Sequence, residues 1–339
     1  MSDQALSQKE KVSPAPSAGQ EGRSRAAVAL QWASERGIFF LTGGLIIFGA
    51  VFINGFASVI NITDVFHRAA PIGIVAVGMT FVVISGNYLD LSVVAQVATA
   101  AVVLIAVSNS HGMVLAIVAM LLVALLYGVI NGVAVGYFKA NAVIVTLATT
   151  YVGLGVLRWV SGGSIFFGPQ DGPIRAIGQI KIVGLPLSAV ILLAMTVILG
   201  FILSRTSFGF QIRAFGSNDK ATRLAGVATS RLVVGAFVIT ALAAAVAGFV
   251  LAAFSNTAVS TMAQGFDFRA LAAIIIGGTS VFGGKGSIFR TLLGVIFVSV
   301  LTNILVLSSV GFGWQQTAIG VLIVLAVSLD TLARRAATR

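Results

Sequence analysis

The chain has 339 residues, a mean hydropathy of +1.05 and only 9% charged side chains, too few to solvate a water-soluble domain of this length. Its net charge is +11, and it contains no cysteine, which excludes disulfides, thiolate metal sites and a cysteine nucleophile. The two histidines, His67 and His111, stand too far apart in sequence to suggest a histidine metal centre. Lipid is the solvent this composition suits.

In chain order, residues 1–36 are polar, with Ser, Gln, Pro and charges of both signs, and read as a largely disordered tail ending in a short amphipathic lead-in. They lack the apolar core of a cleaved signal peptide, so the apolar run starting near Gly37 reads as an anchor that stays in place. About 20 mostly apolar residues cross a bilayer as a helix. With the longest runs split at SNSHG (108–112) and VGFG (310–313), ten spans are predicted, near 38–56, 69–85, 91–107, 113–137, 141–160, 186–203, 231–254, 269–282, 288–309 and 315–332. The run at 269–282 is short and Gly-rich and reads as a half-helix or re-entrant segment. The fold class expected is all-α, a polytopic membrane bundle of about ten helices with some broken. It divides into the tail 1–36, a membrane domain 37–333 carrying a polar loop at 205–230, and a basic end at 334–339.

With the N-terminus in the cytoplasm, 16 of the 21 Lys and Arg fall on the inner side, and only Arg68, Arg158, Arg175, Lys181 and Arg269 fall outside. That asymmetry explains the basic balance without nucleic acid and places both ends in the cytoplasm.

Five segments carry polar or glycine signals. In ISGNYLDLSVVAQ (84–96), Asp90 stands beside Asn87, Ser92 and Gln96; it either caps the helix that follows or works as a carboxylate at membrane depth. In LLYGVINGVAVGYF, Gly128, Gly132 and Gly136 share one helix face and permit a close neighbour. In KANAVIVTLATT, Asn141 starts a helix that carries Thr146, Thr149 and Thr150. In the basic loop 205–231, SNDKATRLAGV reads as a short helix capped by Ser217, Asn218 or Asp219 and stopped at Gly226. Such a helix rests on headgroups or docks into a soluble partner. Finally, GGTSVFGGKGS (277–287) fails as a nucleotide loop: with Lys285 as the motif lysine, Thr279 replaces the first glycine and Gly286 the following Ser or Thr. It reads as a broken segment at Gly277, Gly278, Gly283, Gly284 and Ser287, with Lys285 and Arg290 as a cytoplasmic anchor. Asn303, in mid-span, reads as a helix–helix hydrogen-bonding residue.

Four stretches together, GMTFVVISGNYLDLSV (78–93), NGVAVGYFKANAVIVTLAT (131–149), RTSFGFQIRAFGSNDKATRLAGV (205–227) and ALAAIIIGGTSVFGGKGSIFRTLLGV (270–295), resemble the permease subunits of bacterial ABC sugar importers of the ribose, xylose, arabinose and galactose type. The resemblance covers nearly the whole chain after residue 37. It departs at Tyr88 and Leu89 before Asp90, at Val94 where glycine is usual, and in lacking a proline before IVTL. It implies a multi-pass protein of the bacterial inner membrane that forms the pathway for a sugar or related polyol. It also implies three partners: a cytoplasmic ATPase carrying ATP and Mg, a periplasmic solute-binding protein, and a second permease subunit, identical or a sister. No cofactor is expected in this chain, nor catalysis.

Under that resemblance residues 205–227 hold the coupling helix, with Arg213, Gly216, Asn218, Asp219, Lys220, Ala221, Arg223, Ala225 and Gly226 as its candidate residues. The polar groups near the breaks, Asn87, Asp90, Ser92, Gln96, Asn141, Thr146 and Asn303 among them, are candidates for the pathway or the breaks themselves. The alternatives are an ABC permease for branched-chain amino acids or another small polar solute, and an ion-coupled secondary transporter. The last would want carboxylates inside the spans, and these are scarce apart from Asp90.

Overall fold

The computed structural model describes residues 25–86 and 88–337; the tail before Arg25, Asn87 and the last two residues lie outside that range. The chain divides after Gly37. The described part of the first unit, residues 25–37, opens a helix; the second unit, residues 38–339, holds every other element.

The helices are α1 (Arg25–Phe52), α2 (Val59–Ile84), α3 (Val93–His111), α4 (Met113–Gly136), α5 (Ala142–Ser161), α6 (Pro173–Gln179), α7 (Leu187–Arg205), α8 (Ser207–Ser217), α9 (Asp219–Leu224), α10 (Thr229–Ser255), α11 (Phe266–Ile276), α12 (Ile288–Leu307) and α13 (Phe312–Ala337). Four two-residue strands, β1 (Phe166–Phe167), β2 (Lys181–Ile182), β3 (Leu185–Pro186) and β4 (Thr257–Ala258), pair antiparallel as β1–β4 and β2–β3.

Each of the ten expected spans contains a helix. Among the described residues seven, α2, α3, α4, α5, α7, α10 and α12, are long and apolar enough to cross a membrane, and Gly37–Phe52 and Phe312–Ser328 are shorter apolar helices. With 11 residues, α11 rises only about 16 Å, roughly half of a hydrocarbon core about 30 Å thick. It has the length of a half-helix. The lead-in before Gly37 is continuous with α1, so helix begins at Arg25, earlier than the expected span.

Burial orders the bundle. Every side chain of α2 from Ala69 to Ile84 is buried, as befits a helix that is apolar on all sides. α10 packs on α2, α3 and α4, and its small residues, among them Ala243, Ala244 and Ala245, let the backbones approach. The glycine face of α4 meets α10 as its spacing predicts. A methyl at Gly128 or Gly132 would lie 2.7 Å from the Cα of Val238 or Val234, and one at Gly136 2.8 Å from the Ser230 carbonyl. Between helices in lipid there is little hydrophobic drive, so close van der Waals contact of this kind carries the association. On the outward faces of α4 and α5, Val114, Leu122, Tyr151 and Trp159 are exposed, as side chains facing acyl chains are.

The N-terminus of α10 follows the α8–α9 loop, and its C-terminus leads into β4, so the two lie at opposite ends of the bundle. Around the β4 end sit α6 and both strand pairs, which the apolar pattern did not foretell.

Candidate functional site: two helix breaks and a docking loop

The first break runs from Ser85 to Ser92, between α2 and α3. Asp90 is fully buried there. Its Oδ1 accepts hydrogen bonds from the Ser92 N–H at 3.0 Å and from the Ser92 hydroxyl, and its Oδ2 accepts from Gln96 Nε2 at 3.1 Å. Ser92 is the N-cap residue of α3, and the bond from its N–H lets Asp90 close the turn just before that helix. Ser92 Oγ also accepts from Gln96 Nε2 at 2.6 Å and Asn131 Nδ2 at 2.7 Å, and Asn131 Oδ1 accepts from the Thr149 hydroxyl at 2.8 Å. The network thus ties α3, α4 and α5 together. Two more α5 hydroxyls grip the break's backbone: Thr146 donates to Leu89 O at 3.4 Å, and Thr150 to Leu91 O at 3.0 Å.

Asp90, Ser92, Gln96 and Thr146 are at most 1% exposed. Of these candidates for the pathway or the breaks themselves, Asp90, Ser92 and Gln96 bond to one another and Thr146 bonds to the backbone of the break. Asn87 lies outside the described residues. Asn141 is the N-cap of α5, its Oδ1 accepting from the Val143 and Ile144 amides at 3.0 and 3.2 Å. Asn303 pairs with Asn61 of α2 through reciprocal amide bonds of 2.7 and 3.0 Å, a helix–helix link as expected. Sequence reasoning missed Asn131, whose only signal was a polar residue within an apolar, glycine-spaced run.

The second break spans Gly277–Ser287. α11 ends in Gly277; Gly278, Gly283 and Gly284 take φ of 78°, 85° and 74°, which glycine adopts without strain. Ser280 N donates to Lys285 O at 2.9 Å and closes the loop, and Ser287 is the N-cap residue of α12. Lys285 is exposed and Arg290 half-buried. The element before this loop is a helix, so the strand that a phosphate-binding loop requires is missing. The two breaks, nearly 200 residues apart, touch: Gly284 N donates to Ile84 O at 2.9 Å.

The loop at 205–231 forms two helices where one was expected. Thr206 caps α8 by accepting from the Gly209 amide at 3.3 Å, and Ile212 and Phe215 bury its inner face, while Arg213 is half-buried and Gly216 ends against the breaks. α9 is the expected capped helix: Asn218 Oδ1 accepts from Ala221 N at 3.0 Å, Ala225 is the C-cap, and Gly226 turns the chain with φ of 78°. Asp219, Lys220, Ala221 and Arg223 are exposed, and Leu224 is 90% exposed. Arg223 makes a two-pronged pair with Asp219, at 2.5 and 2.8 Å, along the helix. Nearby Lys139, in the α4–α5 turn, has its ammonium pushed below the usual range by burial and then by the Arg223 guanidinium.

At the opposite end a cavity of about 670 Å³ is lined by Thr63, His67, Arg175, Lys181 and Asn256 with the rings of Phe167 and Phe254. Its size and mixture of polar groups with aromatics suit a small polar solute.

A permease family described as "Branched-chain amino acid transport system / permease component" matches residues 61–327. The chain belongs to this permease family. The match runs from α2 into α13 and includes both breaks and the α8–α9 loop. The permease is 33% identical over 279 residues to the ribose import permease protein RbsC of Haemophilus influenzae, covering 81% of this chain and 86% of that one. It is 31% identical to the L-arabinose transport system permease protein AraH of Escherichia coli, over 89% and 92% of the two chains. It is 29% identical to the fructose import permease protein FrcC of Rhizobium meliloti, over 88% and 86%. No solved structure matches the permease. It is a multi-pass membrane protein.

Proposed function

We propose that the permease is the transmembrane subunit of an ATP-driven importer of a pentose, hexose or related polyol in the bacterial inner membrane. The observation that carries this reading is the 31–33% identity to ribose and arabinose permeases across more than four-fifths of both chains. The solute class follows those relatives. The amino-acid description of the family keeps branched-chain amino acids as the second reading, and competition between labelled ribose or arabinose and leucine for uptake separates the two.

In this reading all ten apolar helical segments lie in the membrane, α11 as a half-span, and both termini face the cytoplasm with the α8–α9 loop. A periplasmic binding protein delivers the sugar to the end of the bundle bearing the α6 cavity. A second permease subunit completes the pathway. ATP and Mg²⁺ act on a separate cytoplasmic ATPase, which grips α9. Leu224, Lys220 and Arg223 present the contact, while Asn218 and Gly226 fix the helix at its two ends. ATP-driven closure of the ATPase shifts α9, and the bundle switches between inward-open and outward-open states. The set around Asp90 holds the first break in shape during that switch.

The test is a pair of variants in the reconstituted complex. Gly226→Val places a β-branched residue at φ of 78°, and Arg223→Ala removes the charged edge of α9. Both are expected to lower uptake and binding-protein-stimulated ATP hydrolysis at least tenfold. Wild-type uptake with wild-type stimulation in both variants would refute the docking role.

A further inference from the structure

We infer that Gly216 is a positioning residue through which the docking loop moves both helix breaks together. The inference rests on the docking role given above to residues 213–226.

Gly216, near the C-terminal end of α8, lies where three segments far apart in sequence converge. A Cβ placed on it would overlap the Ile84 carbonyl oxygen and come within 2.6 Å of Gly284 N. A Cβ on Gly283 would lie 2.5 Å from Gly86 Cα and 2.9 Å from Gly216 O, and one on Gly284 2.9 Å from Ser217 Cα. At Gly216 and Gly283 backbone meets backbone, with the Ser217 side chain also closing on Gly284, and the Gly284 N–H to Ile84 O bond of 2.9 Å joins the two breaks directly.

That geometry has a mechanical consequence. Side chains in contact can change rotamer and absorb a small displacement. Backbones in contact have no such freedom, and packed interiors pass strain on. A shift of α8 is therefore transmitted to Ile84–Gly86 and to Gly283–Gly284 at once. From the first break it passes to α5 through Thr146 and Thr150, whose hydroxyls hold Leu89 O and Leu91 O. From the second it enters α12, which begins at Ile288.

Gly216 is the diagnostic member of the group. Gly86, Gly283 and Gly284 have positive φ and need glycine for that reason alone. Gly216 has helical backbone, where alanine is ordinarily favoured over glycine. Only the contact demands glycine there.

The experiment uses the permease reconstituted in liposomes with its ATPase and binding protein. Gly216→Ala is compared with Gly248→Ala, whose new methyl would lie 2.6 Å from Val97 O at the α10–α3 contact, away from the junction. Gly216→Ala is expected to retain the ATPase at wild-type stoichiometry while stimulated hydrolysis and uptake fall at least tenfold. Gly248→Ala is expected to lower Tm but keep the wild-type ratio of sugar imported to ATP hydrolysed. Stimulation and uptake within twofold of wild type in Gly216→Ala would overturn the inference and leave docking intact. Failure of the unsubstituted chain to retain the ATPase would remove the docking reading and this inference with it. Hydrogen exchange on the unsubstituted complex tests the same point without any substitution. Between nucleotide-free and ATP-trapped states, residues 84–92 and 277–287 should change protection together with 207–217. A change confined to the docking loop would overturn the inference.

Discussion

Asp90 carries a carboxyl group in a site with no exposure, and its hydrogen bonds come from Ser92 and Gln96 rather than from a cation. Its donors are themselves buried, so removing the acceptor strands them. Asp90→Ala should destabilise the permease by about 2 kcal/mol, the order of a buried unsatisfied polar group. Asp90→Asn keeps one acceptor for Ser92. It can also turn an amide donor toward Gln96 Oε1, which has no hydrogen-bond partner here. We expect it to unfold within about 1 kcal/mol of wild type and to retain uptake. Thermal unfolding in detergent and uptake in liposomes check both variants. A stable Asp90→Asn that has lost uptake would make Asp90 a pathway residue instead. The sequence alone left both roles for Asp90 standing, because a carboxylate beside a helix start looks the same whether it caps or conducts. Nor does it show the hydrogen-bond network around Asp90, in which Gln96 bonds Asp90 itself and Asn131, 41 residues away on another helix, bonds Ser92.

Among the elements, those whose signal is local were legible. The ends of α4 and α5 fall within a residue or so of the expected spans, because the apolar runs stop at Gly136 and start after Asn141, whose side chain supplies the cap. The glycine spacing on α4 foretold a close neighbour, and the structure shows that neighbour to be α10. Gly132→Ala should push the backbone of Val234 away and cost about 1–3 kcal/mol, read as a lower Tm, while alanine at the open helical Gly155 should not lower Tm. Asn303 was expected to bond across helices, yet its partner Asn61, 242 residues distant, was not nameable. A double-mutant cycle with Asn61→Leu and Asn303→Leu should give a coupling of about 0.6 kcal/mol, typical of hydrogen bonds between membrane helices; strict additivity would discount the pair. α8 escaped prediction because SFGFQIRAFGS carries two glycines, which weaken a helix, and its stability comes from burying Ile212 and Phe215. The two-residue strands are too short to show any period.

For the whole molecule, the charge asymmetry and the ten apolar segments were legible because lipid imposes them on sequence directly. The meeting of the two breaks at Gly216 was not, since it joins residues 84, 216 and 284 through a contact that leaves no pattern along the chain. The central claim is that the permease takes its energy from a companion, received through the α8–α9 knob. The most direct measurement is uptake of labelled ribose or arabinose by proteoliposomes containing the permease, its ATPase and its binding protein, with each component omitted in turn. The claim predicts ATP-dependent uptake only when all three are present and no effect of collapsing the membrane potential. Uptake by the permease alone, driven by an imposed ion gradient, would contradict it.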